Sequence, residues 1–239
     1  MTSTRKTAVI VGVLFLTQTV AFIIADQLVT GVLKRPNYLT GVSADANTLI
    51  VGGLFAVVSG VAVVAISVLL FPLLKPTSEP LALAYVCERV IELVLQLLFF
   101  LVVPLLMIAI GNGLRDGTID ASTSHSLGPI LKAVHDQAIV VLYLVTSVGG
   151  TILAVLLYRS NLVPRWIAVL ALIGYPMLFV GCVLDLFDVT DVTKGAGLIA
   201  IAPGGLFELI LPIWLLAKGF NSSVQVVPDK RAPQIVRTR

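Results

Sequence analysis

Charge is scarce in this chain. Lys, Arg, Asp and Glu make up 12% of its 239 residues, against 58% hydrophobic residues and a mean hydropathy of +1.04. Soluble domains carry about a quarter charged residues. A water-exposed globule of this composition could not cover itself with polar surface, which leaves an integral membrane protein. Histidine and cysteine are as sparse, two of each. Cys87 and Cys182 form no CxxC pair and lie in apolar segments that thread into opposite leaflets. They read as buried, inert thiols rather than a disulfide or a metal site. HxxxH and HExxH spacings, a GxSxG elbow, a Walker loop and a dinucleotide fingerprint are all absent, and no cofactor is implied. No basic patch is interleaved with aromatics, so nucleic-acid binding has no support.

What the chain does have is six long apolar runs, at roughly residues 7–32, 47–74, 81–110, 134–158, 166–187 and 197–220. About 20 apolar residues suffice to cross a bilayer. Backbone facing lipid must satisfy its hydrogen bonds within its own segment, so these runs predict an all-α bundle of six transmembrane helices over residues 1–220. The runs are continuous rather than alternating, which excludes barrel strands. Arg5 and Lys6 precede the first run as in a signal peptide. Its apolar core is longer than the about 7–15 residues of such a peptide, and it is read as a retained helix.

Basic residues set the threading. With the N-terminus inside, the inner segments hold Arg5, Lys6, Lys75, Arg159, Arg165, Lys218, Lys230, Arg231, Arg237 and Arg239, and the outer ones only Lys34, Arg35, Arg115, Lys132 and Lys194. That excess predicts both termini in the cytoplasm. Residues 111–133, rich in Ser, Thr, Gly and Asp, are expected to form a mobile outer loop with a short interfacial helix at its end. Residues 221–239 are expected to be a disordered basic tail, able to rest on anionic lipid at about 1 kcal/mol per basic residue. Gly52, Ala56 and Gly60 form a small-residue stripe on the second span, which predicts close helix packing within the chain or in a homo-oligomer.

The charges that do occur inside the runs are therefore informative. AYVCERVIELVLQ, residues 84–96, places Glu88, Arg89 and Glu92 within the third span. Tyr85, Glu88, Glu92 and Gln96 are spaced by three, four and four, and so share one helix face. Arg89 sits beside that stripe, within reach of Glu92 one turn on. Three such charges facing lipid would cost about 8–10 kcal/mol, so they must face protein or trapped water. Glu208, halfway along the sixth span, is a fourth. Pro203, Gly204, Gly205 and Pro212 surround it, and they predict a doubly interrupted helix of the kind that often builds ion sites. Three acids against one guanidinium predict that at least one carboxyl is kept neutral by its proton. Glu88, Arg89, Glu92, Gln96 and Glu208 are thus the candidate binding residues.

At the outer rim, Asp26, His135, Asp136 and Asp185 fall near one boundary, with His125 in the loop above. Imidazole and carboxylates could hold a metal there, or serve as an acid–base pair. Asp at a helix start is also stabilised by the helix dipole alone, and a boundary anchor is the default reading.

The segments YRSNLVPRWIAVLALIGY and PGGLFELILPIWLLAKGF, together with ERVIE, resemble a family of bacterial multi-pass membrane proteins known as a domain of unknown function, number four-three-eight-six. The resemblance implies about six helices in a bacterial inner membrane and brings no activity or cofactor. Its matching positions are Arg89, Glu92, Arg159, Pro164, Arg165 and Glu208. Three functions remain open. The first is binding or permeation of a proton, a cation or a small polar solute at a pocket between the third and sixth spans. The second is a structural or regulatory membrane component whose buried ion pairs clamp those helices together. The third is an intramembrane enzyme.

Overall fold

A computed structural model describes residues 3–35 and 38–221. The expected tail beyond Asn221 lies outside them. The described residues form helices α1 (Ser3–Leu33), α2 (Tyr38–Gly41), α3 (Ala46–Leu74), α4 (Glu79–Leu97), α5 (Val103–Arg115), α6 (Ala121–Ser160), α7 (Arg165–Leu186) and α8 (Leu198–Ala217). A π-helical turn, Leu98–Val102, joins α4 to α5, so six helices are long and apolar enough to cross a membrane. Among the described residues there is no strand.

Burial is inverted relative to a soluble protein. On α4, Glu88, Arg89, Glu92 and Gln96 are buried, while Val90, Ile91 and Val94 on the opposite face are exposed. Lipid is the solvent that such a surface fits. Cys87 lies on this outer face, contrary to the expectation of burial, because it stands about 100° around the helix from Glu88. Cys182 is buried as expected.

Arg5 donates from Nη1 to the Leu215 carbonyl at 3.0 Å and from Nη2 to that of Leu216 at 2.7 Å, so the start of α1 caps the end of α8. Asn221, the first residue of the expected tail, is tied to the same end through its N–H to the Leu162 carbonyl at 2.8 Å. The small-residue stripe is consumed within the chain. A Cβ on Gly52 would come within 2.8 Å of Val29 on α1, and one on Gly60 within 2.4 Å of Leu93 on α4.

Two apolar cores fill the interior. One is built around Leu70, Tyr85, Leu156 and Phe207 and extends to Cys182 and Val192; the other, around Leu49, Phe100 and Met107, lies toward the acidic end, the one that carries Asp26, Asp45 and Asp136. Polar side chains lie between them.

Three further expectations need correction. Residues 111–133 are mostly helical, since α5 runs to Arg115 and α6 starts at Ala121. The start is set by Asp120, whose carboxylate accepts from the Thr123 N–H at 2.7 Å. Burial of Ser124 and Gly128, and packing of Leu131 on the acidic-half core, then hold a stretch whose Ser and Thr content suggested a loop. The 40 residues of α6 measure about 60 Å, so α5 and α6 extend together as a helical hairpin beyond the acidic end of the bundle.

The second correction concerns α8, a single unbroken helix with Pro203 and Pro212 inside it. The third is that the irregular backbone lies in the third span instead. Pro104 crowds the carbonyl of Phe100 four residues back, and the widened turn Leu98–Val102 contains that carbonyl.

The cap yields a pH prediction. The Thr123 N–H, then the Ser122 and Thr123 hydroxyls, hold the Asp120 carboxyl below its ordinary value of 3.8. A carboxylate lowered by folding stabilises above its unfolded pKa, and that contribution is lost as pH falls through the folded value. The first-turn amides of α6 should therefore stay protected from hydrogen exchange at neutral pH and lose protection only below about pH 3.8. Asp120→Ala should remove that protection at neutral pH.

Candidate functional site

The third span delivers its stripe inward as the spacing predicts. Arg89 Nη1 donates to Glu92 Oε2, and its Nε lies 3.1 Å from Glu88 Oε2 without hydrogen-bond alignment. The guanidinium also lies 5.1 Å from the Tyr85 ring centroid. Gln96 Nε2 donates to the other Glu92 oxygen at 3.4 Å. Glu88 turns away toward α6, where Gly149 leaves it room, since a Cβ there would fall 1.6 Å from Glu88 Oε2.

Glu208 is held by other helices. Tyr175 on α7 donates its hydroxyl to Oε1 at 3.2 Å, and Gln18 on α1 donates to Oε2 at 3.4 Å. Both ion-pair partners of Arg89 lie on its own helix. The expected clamp between third and sixth spans is therefore not made. Arg89 and Glu208 instead face a common gap of about 10 Å³, beside Gln18, Tyr85 and Tyr175. That space is at the lower limit for one water.

Next to the gap lies a cavity of about 310 Å³ at the junction of the two cores. Glu92 and Gln96 from α4, Glu208 from α8, Gln18 and Thr19 from α1, Tyr143 and Thr146 from α6, and Tyr175 from α7 line it. Of the five candidate residues, Glu92, Gln96 and Glu208 reach the cavity. Arg89 stands behind its wall, and Glu88 is packed away from it. Sequence reasoning missed Gln18, Thr19, Tyr143, Thr146 and Tyr175. The polar pair Gln18-Thr19, which interrupts an apolar first span, was the available signal.

The rim residues take structural partners. His135 contacts the Phe99 carbonyl through Nδ1 at 3.2 Å and the Thr30 hydroxyl through Nε2 at 3.5 Å. Asp136 pairs with Lys132 at 2.5 Å, Asp26 accepts from Thr30 at 3.0 Å, and Asp185 accepts from the Val192 N–H at 2.5 Å. His125 is exposed. Among the described residues, no three His, Cys, Asp or Glu side chains gather into a metal-ligating group. Asp26, His135, Asp136 and Asp185 do line a second cavity of about 560 Å³, with Asp191 and Lys194. Hydrogen bonds from Lys194 and Thr193 hold the Asp191 carboxyl down at about 2. Tyr143 and Ile201 line both cavities, which therefore adjoin.

Six apolar spans wrapped around a polar interior define a multi-pass helical membrane protein. The family described as "Domain of unknown function (DUF4386)" matches residues 10–219, and the chain belongs to it. No curated protein and no solved structure matches. Among the positions behind the resemblance, Arg165 donates to Asn161 at 3.0 Å and stacks on Tyr158 in the α6–α7 turn, away from the cavity.

Proposed function

We propose that the protein binds a proton or a small cation, free or carried on a polar solute, inside the bilayer at Glu208, as a binding or permeation protein. One observation carries this reading. Glu208 lines a cavity while making no ion pair among the described residues, whereas Glu88 and Glu92 both lie against Arg89. A carboxylate at membrane depth without a matched cation costs several kcal/mol, and such residues mark ion and substrate sites. Glu92 and Gln96 supply further acceptors on the opposite wall.

The basic end, with Arg5, Lys75, Arg159, Arg165 and Lys218, supports a cytoplasmic N-terminus and C-terminus, in the bacterial inner membrane that the family resemblance implies. The second reading, a structural component, fits Arg89 and Glu88, whose contacts stay on α4 and against α6. Catalysis has least support, since neither histidine nor cysteine lines the cavity.

Glu208→Gln tests the reading. Ligand at 100 times its Kd stabilises by about 2.7 kcal/mol, so the wild type should melt higher as cation is added and shift with pH. The variant should fold and lose both dependences. If it keeps them, Glu208 is not the site. If it melts lower with both intact, the structural reading gains.

A further inference from the structure

We propose that the occupant of the interior cavity is a protonated organic amine with an apolar body, recognised at its ammonium group by Glu208 and along its carbon chain by the apolar walls. This rests on the reading of Glu208 as a cation site and names the class of cation.

The acceptors come first. Each oxygen of Glu208 already receives one hydrogen bond, from Tyr175 and from Gln18, which fixes the carboxylate in place while leaving lone pairs toward the cavity. Gln96 Oε1, buried and on the cavity wall, accepts no hydrogen bond from the described residues. An ammonium carries several N–H donors and complements such a set. A hard divalent ion requires six or more oxygen ligands in close array. The described residues hold no group of three carboxylate, histidine or cysteine side chains able to form one.

The walls come second. Away from the acids, the lining is Phe22, Leu142, Leu178 and Leu209, with the rings of Tyr143 and Tyr175. A mostly apolar wall with a few fixed polar groups is the lining of a small-organic-molecule site, and about 310 Å³ falls at the lower end of that size class. Aromatic faces beside a carboxylate also favour an ammonium. Access comes third, since the cavity is open beside Ile23 and Leu209, both about half exposed, and the rim cavity, with Asp26 on its wall, adjoins it at Tyr143 and Ile201.

The experiment titrates purified protein in detergent with n-butylammonium, methylammonium, sodium, calcium and butan-1-ol at constant ionic strength, read by thermal midpoint and calorimetry. The inference expects saturable binding of n-butylammonium at least tenfold tighter than methylammonium or sodium, and none of butan-1-ol. Glu208→Gln should weaken n-butylammonium at least tenfold, and Phe22→Ala should narrow its advantage over methylammonium. If butan-1-ol binds as tightly as the amine, charge is not recognised and the inference falls. If sodium or calcium binds in a Glu208-dependent way and the amine does not, the amine assignment falls while the cation site stands. If no cation binds in a Glu208-dependent way, the amine inference and the cation site both fall, and the proton reading stands or falls on whether Glu208→Gln removes the pH dependence of melting. Should Glu208→Gln not fold, the wild-type comparison of n-butylammonium with butan-1-ol and sodium still decides.

Discussion

Arg89→Met should produce the largest loss of stability of any single substitution in the bundle, about 3–5 kcal/mol, because breaking a buried ion pair leaves charge uncompensated. Here two carboxylates lose the same partner. Glu88 lies 3.1 Å from the guanidinium Nε, Glu92 accepts from Nη1, and all three side chains are at most 8% exposed. The design of a control follows from the same physics. Replacing a whole buried charge network with neutral groups of similar volume is often close to neutral. Arg89→Met combined with Glu88→Gln and Glu92→Gln should therefore recover most of what the single change loses. Thermal midpoints in detergent measure both. A triple variant that melts no higher than Arg89→Met would show that packing of the long side chain, rather than charge balance, dominates at this position.

Gly174→Ala should also be strongly damaging, at about 1–3 kcal/mol or more. A Cβ at Gly174 would fall 2.4 Å from the Gly204 backbone nitrogen and 2.8 Å from the Pro203 carbonyl carbon. Those are main-chain atoms, so no rotamer change relieves the overlap, and α7 and α8 must separate. The neighbouring Tyr175 hydroxyl donates to Glu208 across this interface, so the variant should also weaken whatever binds in the cavity. Gly31 near the end of α1 provides the contrast, because a Cβ there meets nothing within 4 Å. Gly31→Ala should stabilise slightly, by less than about 1 kcal/mol, through helix propensity alone. A Gly174→Ala protein as stable as wild type would mean that the helices are not in backbone contact there.

Much of the fold was legible because lipid imposes a coarse rule. Six continuous apolar runs can only be helices, and a stripe at Tyr85, Glu88, Glu92 and Gln96 can only face inward, whatever the tertiary arrangement. Local chemistry also gave the Arg89–Glu92 pair, since it is made within one helix. The partners of Glu208 were not legible. Gln18 is 190 residues distant along the chain and Tyr175 lies 33 away. Nothing local to any of the three positions specifies that they meet. Prolines misled in both directions. Pro203 and Pro212 are absorbed in a continuous α8, while Pro104, which drew no notice, accompanies the one widened turn. The first turns of α6 were read as loop because Ser and Thr compete for backbone hydrogen bonds. Capping by Asp120 and burial of Ser124 outweigh that tendency.

The long α6 also divides the acidic end into two electrostatic zones. His135 lies level with Thr30 of α1, and from there α6 continues about 20 Å further to Ala121. A charged headgroup layer is screened within about 8 Å at physiological ionic strength. With a bilayer surface level with Asp26 and Asp185, Asp116 and Asp120 at the hairpin tip would lie beyond that distance, in the bulk electrolyte. Varying the fraction of anionic lipid should then change the local concentration of cations at the rim cavity and leave the tip of the hairpin untouched.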